Sequence, residues 1–256
     1  MSGRVTDLEV DPNDATHFYV AYASGGLWET VNNGTSFTPI FDHEAVMTIG
    51  DIAVDWKNKI IWVGTGENNS SRSSYSGVGI FKSSDNGKTW THSGLEESHH
   101  ISRIVLHPTD PNIVWVGIIG HLFTFNKERG VYKTTDGGKS WKQTLFVNEK
   151  TGIIDLVADQ NDSKILYASA WQRERVSWNF TEAGAGSGIY KSIDGGDTWQ
   201  LITDGKNGFP IGDGTGRIGL AVSKSNSKVI YAFLDNQNRR EPKTPEVQAK
   251  IKPPLT

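Results

Sequence analysis

Ser83-Ser84-Asp85-Asn86-Gly87-Lys88-Thr89-Trp90 (SSDNGKTW) ends in Gly-Lys-Thr, and the reading of this octet decides the fold. A phosphate-binding loop of the G-x-x-x-x-G-K-[ST] type places a second glycine five residues before the last one, so that backbone N–H groups ring the phosphates. That position is Lys82, and the phosphate-loop reading fails. The octet instead recurs, as TTDGGKSW at 134–141 and SIDGGDTW at 192–199, with a degenerate copy TVNNGTSF at 30–37. A motif that repeats in register is architecture before it is chemistry.

Its surroundings repeat as well. A unit opens with RVTDLEVDP from Arg4, TIGDIAVDW from Thr48, HISRIVLHP from His100, GIIDLVADQ from Gly152 and GRIGLAVSK from Gly216. A polar turn and a second apolar run follow each time: HFYVAYAS, KIIWVGTG, NIVWVGII, KILYASAW and KVIYAFLD. Third runs (GLWET, GIFKSS, GVYKTT, GIYKSI) enter the octet and fourth runs (FTPIF, WTHSG, WKQTL, WQLIT) leave it. All are too short for helices and rich in β-branched and aromatic residues. The closing aromatics, Phe37, Trp90, Trp141 and Trp199, stand about fifty residues apart. Four antiparallel strands at that period stack radially into a propeller. A parallel β-helix would need far shorter rungs, and an α/β fold would need helical patterns that are absent. The expected fold is an all-β propeller with blades near 4–42, 48–96, 100–147 and 152–203 and a partial fifth at 216–236. Together they form one propeller portion over 1–240. Residues 241–256 read as a polar tail or the start of a missing segment, and both ends look cut from a longer protein.

Composition narrows the function classes. Lys plus Arg number 26 against 29 Asp plus Glu, for a net charge of -3 with the signs interspersed. This argues against a nucleic-acid partner, which needs a basic stripe. There is no Cys, so disulfides, thiolate chemistry and Cys-based zinc sites are excluded. No apolar run is long enough to span a membrane, and no cofactor is expected.

The pattern S/T-x-D-x-G-x-T/S-W resembles the Asp-box, or bacterial neuraminidase repeat. Together with MSGRVTDLEVDP, WVGTGENN, YASAWQRER and GSGIYKSIDGGDTW, the chain up to about Asp235 is similar to sortilin-type, BNR-repeat propellers of large bacterial surface or secreted proteins, many called glycosyl hydrolases by similarity. The resemblance implies a secreted, periplasmic or cell-surface location. It implies binding of peptides or proteins where members are sortilin-like, and cleavage of sialosides or β-glucans where they are sialidase- or xyloglucanase-like. The octets read as hairpin staples. Asp85, Asp136 and Asp194 accept turn N–H groups, Gly87, Gly138 and Gly196 take positive φ, and Trp90, Trp141 and Trp199 wedge between blades.

Strand direction puts the octet turns on one face, the bottom, and the long loops 65–79, 120–130 and 170–188 on the other, the top. Loops gathered on one face of a repeat array are where binding resides. The candidate ligand-binding residues are Glu67, Asn68, Arg72, Tyr75, His121, Trp171, Arg173, Arg175 and Trp178, suited to hydrogen-bonding and stacking a peptide or sugar. The alternative is that the loop aromatics fold back as small local cores. At the start of the inner strands Asp7, Asp51, Arg103 and Asp155 occupy equivalent positions, with Gly219 in the fifth. Asp51, Asp7 and Asp155 are thus candidate catalytic acids for glycoside hydrolysis, or else structural acids satisfied by backbone N–H groups and by Arg4 or Arg103. The arginines form no assignable sialidase triad. Glu96, Glu97, His99 and His100 bring two imidazoles together, but neighbouring side chains in an extended segment point apart, so no metal is expected.

The leading reading is a non-catalytic module that binds a protein, peptide or glycan through its top face, within a larger exported protein that supplies the remaining blades. The alternative is the N-terminal part of a propeller glycoside hydrolase.

Overall fold

A computed structural model of the chain describes residues 3–71, 73–206 and 208–238; the candidate Arg72 and the segment 241–256 lie outside them. The first four-stranded antiparallel sheet is β1 (Val5–Asp11), β2 (Asp14–Tyr22), β3 (Gly26–Thr30) and β4 (Thr38–Pro39). The second is β5 (Ile49–Asp55), β6 (Ile60–Thr65), β7 (Ile80–Ser83) and β8 (Thr91–His92). The third is β9 (Ile101–Leu106), β10 (Val114–Ile118), β11 (Gly130–Thr134) and β12 (Lys142–Leu145). In the fourth, β13 (Thr151–Ala158) and β14 (Leu166–Gln172) are followed by a separate hairpin, β15 (Glu174–Val176) and β16 (Asn179–Thr181), before β17 (Gly188–Ser192) and β18 (Gln200–Leu201) complete the sheet. β19 (Thr215–Val222) and β20 (Ile230–Asn236) form a fifth, two-stranded sheet.

These sheets are propeller blades, and their cores lie between blades. Tyr19 and Leu27 of the first blade bury against Ile52, Ile61 and Phe81 of the second. Trp62 and Ile80 pack with Ile104 and Val116, and Trp115 and Val131 with Ile153 and Leu166. A single sheet cannot bury two faces, so each needs the next. β5 accordingly is buried on both sides, whereas at the ends of the array Leu8 and Val10 on β1 and Tyr231 and Phe233 on β20 are exposed. The outermost strands β4, β8 and β18 have two residues each, shorter than the apolar runs leaving the octet had implied. They carry no core face, and a short edge strand limits unwanted pairing.

The octets are the staples between blades. Ser83 Oγ donates to Asp85 Oδ1 (2.8 Å), accepts the Gly87 N–H (2.8 Å), and Asp85 takes both the N–H and the hydroxyl of Thr89 (2.9 and 2.7 Å). The same bonds recur around Asp136 and Asp194, and in the degenerate first copy Asn32 Oδ1 takes the Thr30 hydroxyl and the Ser36 N–H while its Nδ2 donates to the Ser36 hydroxyl (2.9 Å). The Thr89 hydroxyl, then its N–H and Ser83, pull the Asp85 carboxyl down to about 2. Each closing Trp reaches back one blade: Trp90 Nε1 to the Ile40 carbonyl (2.7 Å), Trp141 Nε1 to that of Ser93 (2.7 Å), Trp199 Nε1 to Thr144 Oγ1 (3.2 Å). Gly138 (φ 92°) and Gly196 (φ 80°) lie against Trp62 and Trp115 of the preceding blade, where a Cβ would come within 2.5 Å of the indole.

Candidate functional site

The inner strands share a second device. Pairing slips by one residue between Val5 and Asp7, Ile49 and Asp51, and Ile153 and Asp155. A bulge of this kind re-aims the following side chain, and here it turns each carboxylate to the next blade. Asp7 Oδ2 accepts the Ile52 N–H (3.2 Å), Asp51 Oδ2 that of Ile104 (2.6 Å), and Asp155 Oδ2 that of Leu220 (2.8 Å). In the third blade Arg103 takes the position, so the Leu156 N–H is left to Asp155 Oδ1 (3.0 Å). Arg103 in turn bridges Asp51 (Nη1–Oδ1, 3.1 Å) and Asp155 (Nε–Oδ1, 3.1 Å). Burial pushes the Asp51 carboxyl up, Arg103 and the Ile104 N–H draw it down, and Asp7 and Glu9 add to the rise. Arg103 is held above its ordinary value chiefly by Asp51.

One channel group escaped the reading of the sequence. Glu9 follows Asp7 on the same face of β1, where the other inner strands carry Ala53, Val105, Val157 and Ala221. It lines a cavity of about 420 Å³ bounded by all five inner strands, with Val54, Val105, Val157 and Val222 among its walls. Burial, with Asp7 beside it and Arg103 opposing, raises its carboxyl to about 7. The visible signal was an acid two residues beyond the repeating one at a position otherwise apolar.

On the top face the loop after β6 crosses the channel mouth. Asn68 donates to the carbonyls of Gly50 (3.1 Å) and Ser102 (3.2 Å), in blades two and three, and Asn69 Oδ1 accepts Arg217 Nη1 of the fifth (3.2 Å). Glu67 is 1 % exposed, bonded through Oε2 to the Ser74 hydroxyl and 3.4 Å from Arg4 Nη2 of the first blade. Glu67 and Asn68 are thus engaged in tying blades together, and Tyr75, 64 % exposed, is the side chain this loop presents.

The third loop splits its aromatics. Trp171 and Arg173, expected as exposed platforms, are buried: the indole donates to the Glu182 carbonyl (2.7 Å) and packs on Ile119, Ile154 and Phe180. The local-core alternative describes them, because the loop folds as the β15–β16 hairpin with Phe180 turned inward beneath Arg175 (4.5 Å). Trp178 at its tip is 86 % exposed. The Arg173 guanidinium donates only to the carbonyls of Gly120, His121 and Leu122 (3.3 to 3.4 Å), and its Nε makes no hydrogen bond. Arg129 likewise bonds neutral oxygens of Asn126, His121, Thr124 and Lys150. Burial lowers the two guanidinium groups to about 9 and about 10, with Arg129 and Arg175 adding to the effect on Arg173. Among the described residues no carboxylate pairs with Arg129, Arg173 or Arg175.

Two cavities flank the loop after β10. One, about 260 Å³, is lined by Phe123, Phe125, Arg129, Arg173 and Arg175; the other, about 370 Å³, by Tyr75, His99, His121 and Phe123. The structure therefore brings Tyr75 to His121, and Arg173 to Arg175, around a shared wall of Leu122, Phe123 and Thr124.

Blades stapled by Asp-box hairpins, with loops concentrated on the opposite face, define the class: a BNR-type β-propeller. The family described as Sortilin-Vps10 (sortilin, neurotensin receptor 3) matches residues 78–248, and the chain belongs to that family. A xyloglucanase of Paenibacillus sp. is 26 % identical over 115 residues, 42 % of this chain and 10 % of that protein. Among solved structures, an ancestral GH74 enzyme superposes with a TM-score of 0.65 at 22 % identity, over 92 % of this chain and 28 % of its own. The GH74 enzyme of Niastella koreensis gives 0.61 at 22 % identity, over 88 % and 33 %. YCF48 from Cyanidioschyzon merolae gives 0.52 at 16 % identity, over 91 % and 66 %. These likenesses establish the propeller fold, and the chain spans a third or less of the enzymes' length. No helix among the described residues is long and apolar enough to cross a membrane.

Proposed function

We propose that the chain is a non-catalytic ligand-binding part of an exported propeller protein, taking a protein, peptide or glycan on its top face. The observation that carries this reading is the use of the inner-strand acids. Asp7, Asp51 and Asp155 each accept a backbone N–H from the following blade, and Asp51 is 2 % exposed. A glycosidase acid must instead reach a sugar oxygen. The top face supplies what binding needs: exposed Tyr75, Phe123, Phe125 and Trp178 for stacking, and Arg175 in a cavity over the buried Arg129 and Arg173, whose uncompensated positive charge favours a ligand carrying an acidic group. The exposed faces of β1 and β20 fit further blades of a longer chain. The test is capture on arrays of peptides and oligosaccharides by the wild-type chain and by Tyr75→Ala and Trp178→Ala. Each substitution should weaken retained spots about tenfold; unchanged capture by both contradicts the assignment.

The second reading, part of a xyloglucanase-like or sialidase-like hydrolase, has one observation in its favour. Glu9, raised to about 7 in the channel beside Asp7, is tuned for general acid catalysis. Reducing ends released from a polysaccharide and lost in Glu9→Gln would establish it.

A further inference from the structure

His99 and His100 do point apart. His100 is buried, its Nδ1 2.9 Å from the Glu67 carbonyl oxygen, while His99 turns outward. The second imidazole comes from another loop. β9 and β10 pair Ile101 with Ile118, and the Ile119 N–H donates to the His100 carbonyl (3.0 Å), which sets the residues before β9 beside those after β10. His121 thereby stacks on His99, ring centroids 3.7 Å apart. Glu97, on the 3-10 turn Glu96–Ser98, reaches both, its Oε2 lying 3.6 Å from His121 Nε2 and 3.9 Å from His99 Nε2.

We propose that Glu97, His99 and His121 bind one divalent transition-metal ion of the zinc class, clasping the turn before β9 to the loop after β10 at the rim of the top-face cavity. The donor atoms all lie within 4.8 Å of one another. A tetrahedral zinc with bonds of about 2.1 Å separates its donors by about 3.4 Å, so a small inward movement of the exposed Glu97 and an opening of the ring stack complete the geometry.

Three features mark the imidazoles as prepared. His121 Nε2 is buried and makes no hydrogen bond, a costly state for a polar atom that a metal bond would relieve. Its Nδ1 lies 3.0 Å from Thr124 Oγ1, the type of contact that orients a ligating imidazole, and its backbone is held by Asn126 Oδ1 (3.0 Å) and Arg129 (2.8 Å). His99 sits at φ 54°, a conformation unfavourable for a non-glycine residue, fixed by the Gly77 N–H on its carbonyl (2.7 Å). Nitrogen and carboxylate donors suit zinc, cobalt or nickel over calcium or magnesium. Three protein ligands leave a position open, and both imidazoles line the cavity beside Tyr75 and Phe123, where a ligand carboxylate could take it. Metal binding itself stands independently of the ligand-binding reading.

The experiment titrates the untagged, chelator-treated 256-residue chain with Zn²⁺ by calorimetry and with Co²⁺ by visible absorption. One ion per chain is expected, with a Co²⁺ spectrum of imidazole and carboxylate ligation. His99→Ala combined with His121→Ala should abolish both signals. Glu97→Gln, at a side chain 70 % exposed and so harmless to folding, should weaken Zn²⁺ binding by about tenfold or more, and Thr124→Val by about tenfold. His107→Ala, on the bottom face, should change nothing. The proposal is overturned if the wild type takes up no stoichiometric ion, or if Glu97→Gln and the double histidine variant bind Zn²⁺ as the wild type does.

Discussion

Glu9 provides a quantitative test of how the channel is built. Its carboxyl lies among the five inner strands and is raised from 4.5 to about 7, chiefly by burial and next by Asp7. A group whose folded value exceeds its unfolded one adds stability that is fully present below the unfolded value, about 4.5, and lost as the pH rises through about 7. That gap sets a ceiling of about 3 kcal/mol, and water reaching the partly open channel reduces the expected effect to about 2 kcal/mol. Glu9→Gln keeps the shape and removes the titration. Urea unfolding followed by fluorescence of the nine Trp residues should therefore find the variant gaining on wild type by about 2 kcal/mol between about pH 5 and about pH 8.5. The variant should be the more stable at the alkaline end. Asp51 is pushed up in both proteins, so taking the difference isolates Glu9 apart from their mutual repulsion. A stability gap that stays constant across this range would refute the placement of an acid in a shielded channel.

Further expectations follow from the staples and the inter-blade acids. Asp51→Ala orphans the Ile104 N–H and removes one partner of Arg103, and should cost about 3 kcal/mol in urea unfolding, with Asp51→Asn costing about half. Gly138→Ala should destabilise by about 2 kcal/mol or more, since a Cβ there meets Trp62 and the residue sits at φ 92°; a shift in thermal midpoint reads it. Asp85, Asp136 and Asp194 are all held low by their turn bonds. Their contribution is complete above the ordinary value of 3.8 and is lost as the pH falls towards about 2, so an Asp85→Asn variant should lose less stability than wild type over that acid range.

The propeller was legible because its signal is repeated. One octet is ambiguous, but four in register fix turn, strand and face together, and even Thr30 to Phe37 keeps the bonds to the turn's N–H groups with Asn32 in place of the aspartate. The equivalence of Asp7, Asp51 and Asp155 was likewise visible, and so was the option that backbone N–H groups engage them, as the structure has them do. The top face was less so, because no repeat governs it. Trp171 and Trp178 lie seven residues apart, yet Trp171 ends up buried on β14 and Trp178 exposed at a hairpin tip. Trp171 packs with Ile119, Ile154 and Phe180, while Trp178 tips the short β15–β16 hairpin that no repeat announces. The meeting of His99 and His121 was legible in principle. Antiparallel β9 and β10 must bring the residue before one strand beside the residue after the other, a step that inspection of adjacent residues alone misses.

The proposed binding through the top face without cleavage is tested most directly by measuring retention and released reducing ends on the same panel of polysaccharides and immobilised peptides. Retention without turnover is expected, reduced in the Tyr75→Ala, Trp178→Ala double variant by about a hundredfold and unchanged in Glu9→Gln. Turnover of a polysaccharide by the chain that disappears in Glu9→Gln while the aromatic variant remains active would contradict it.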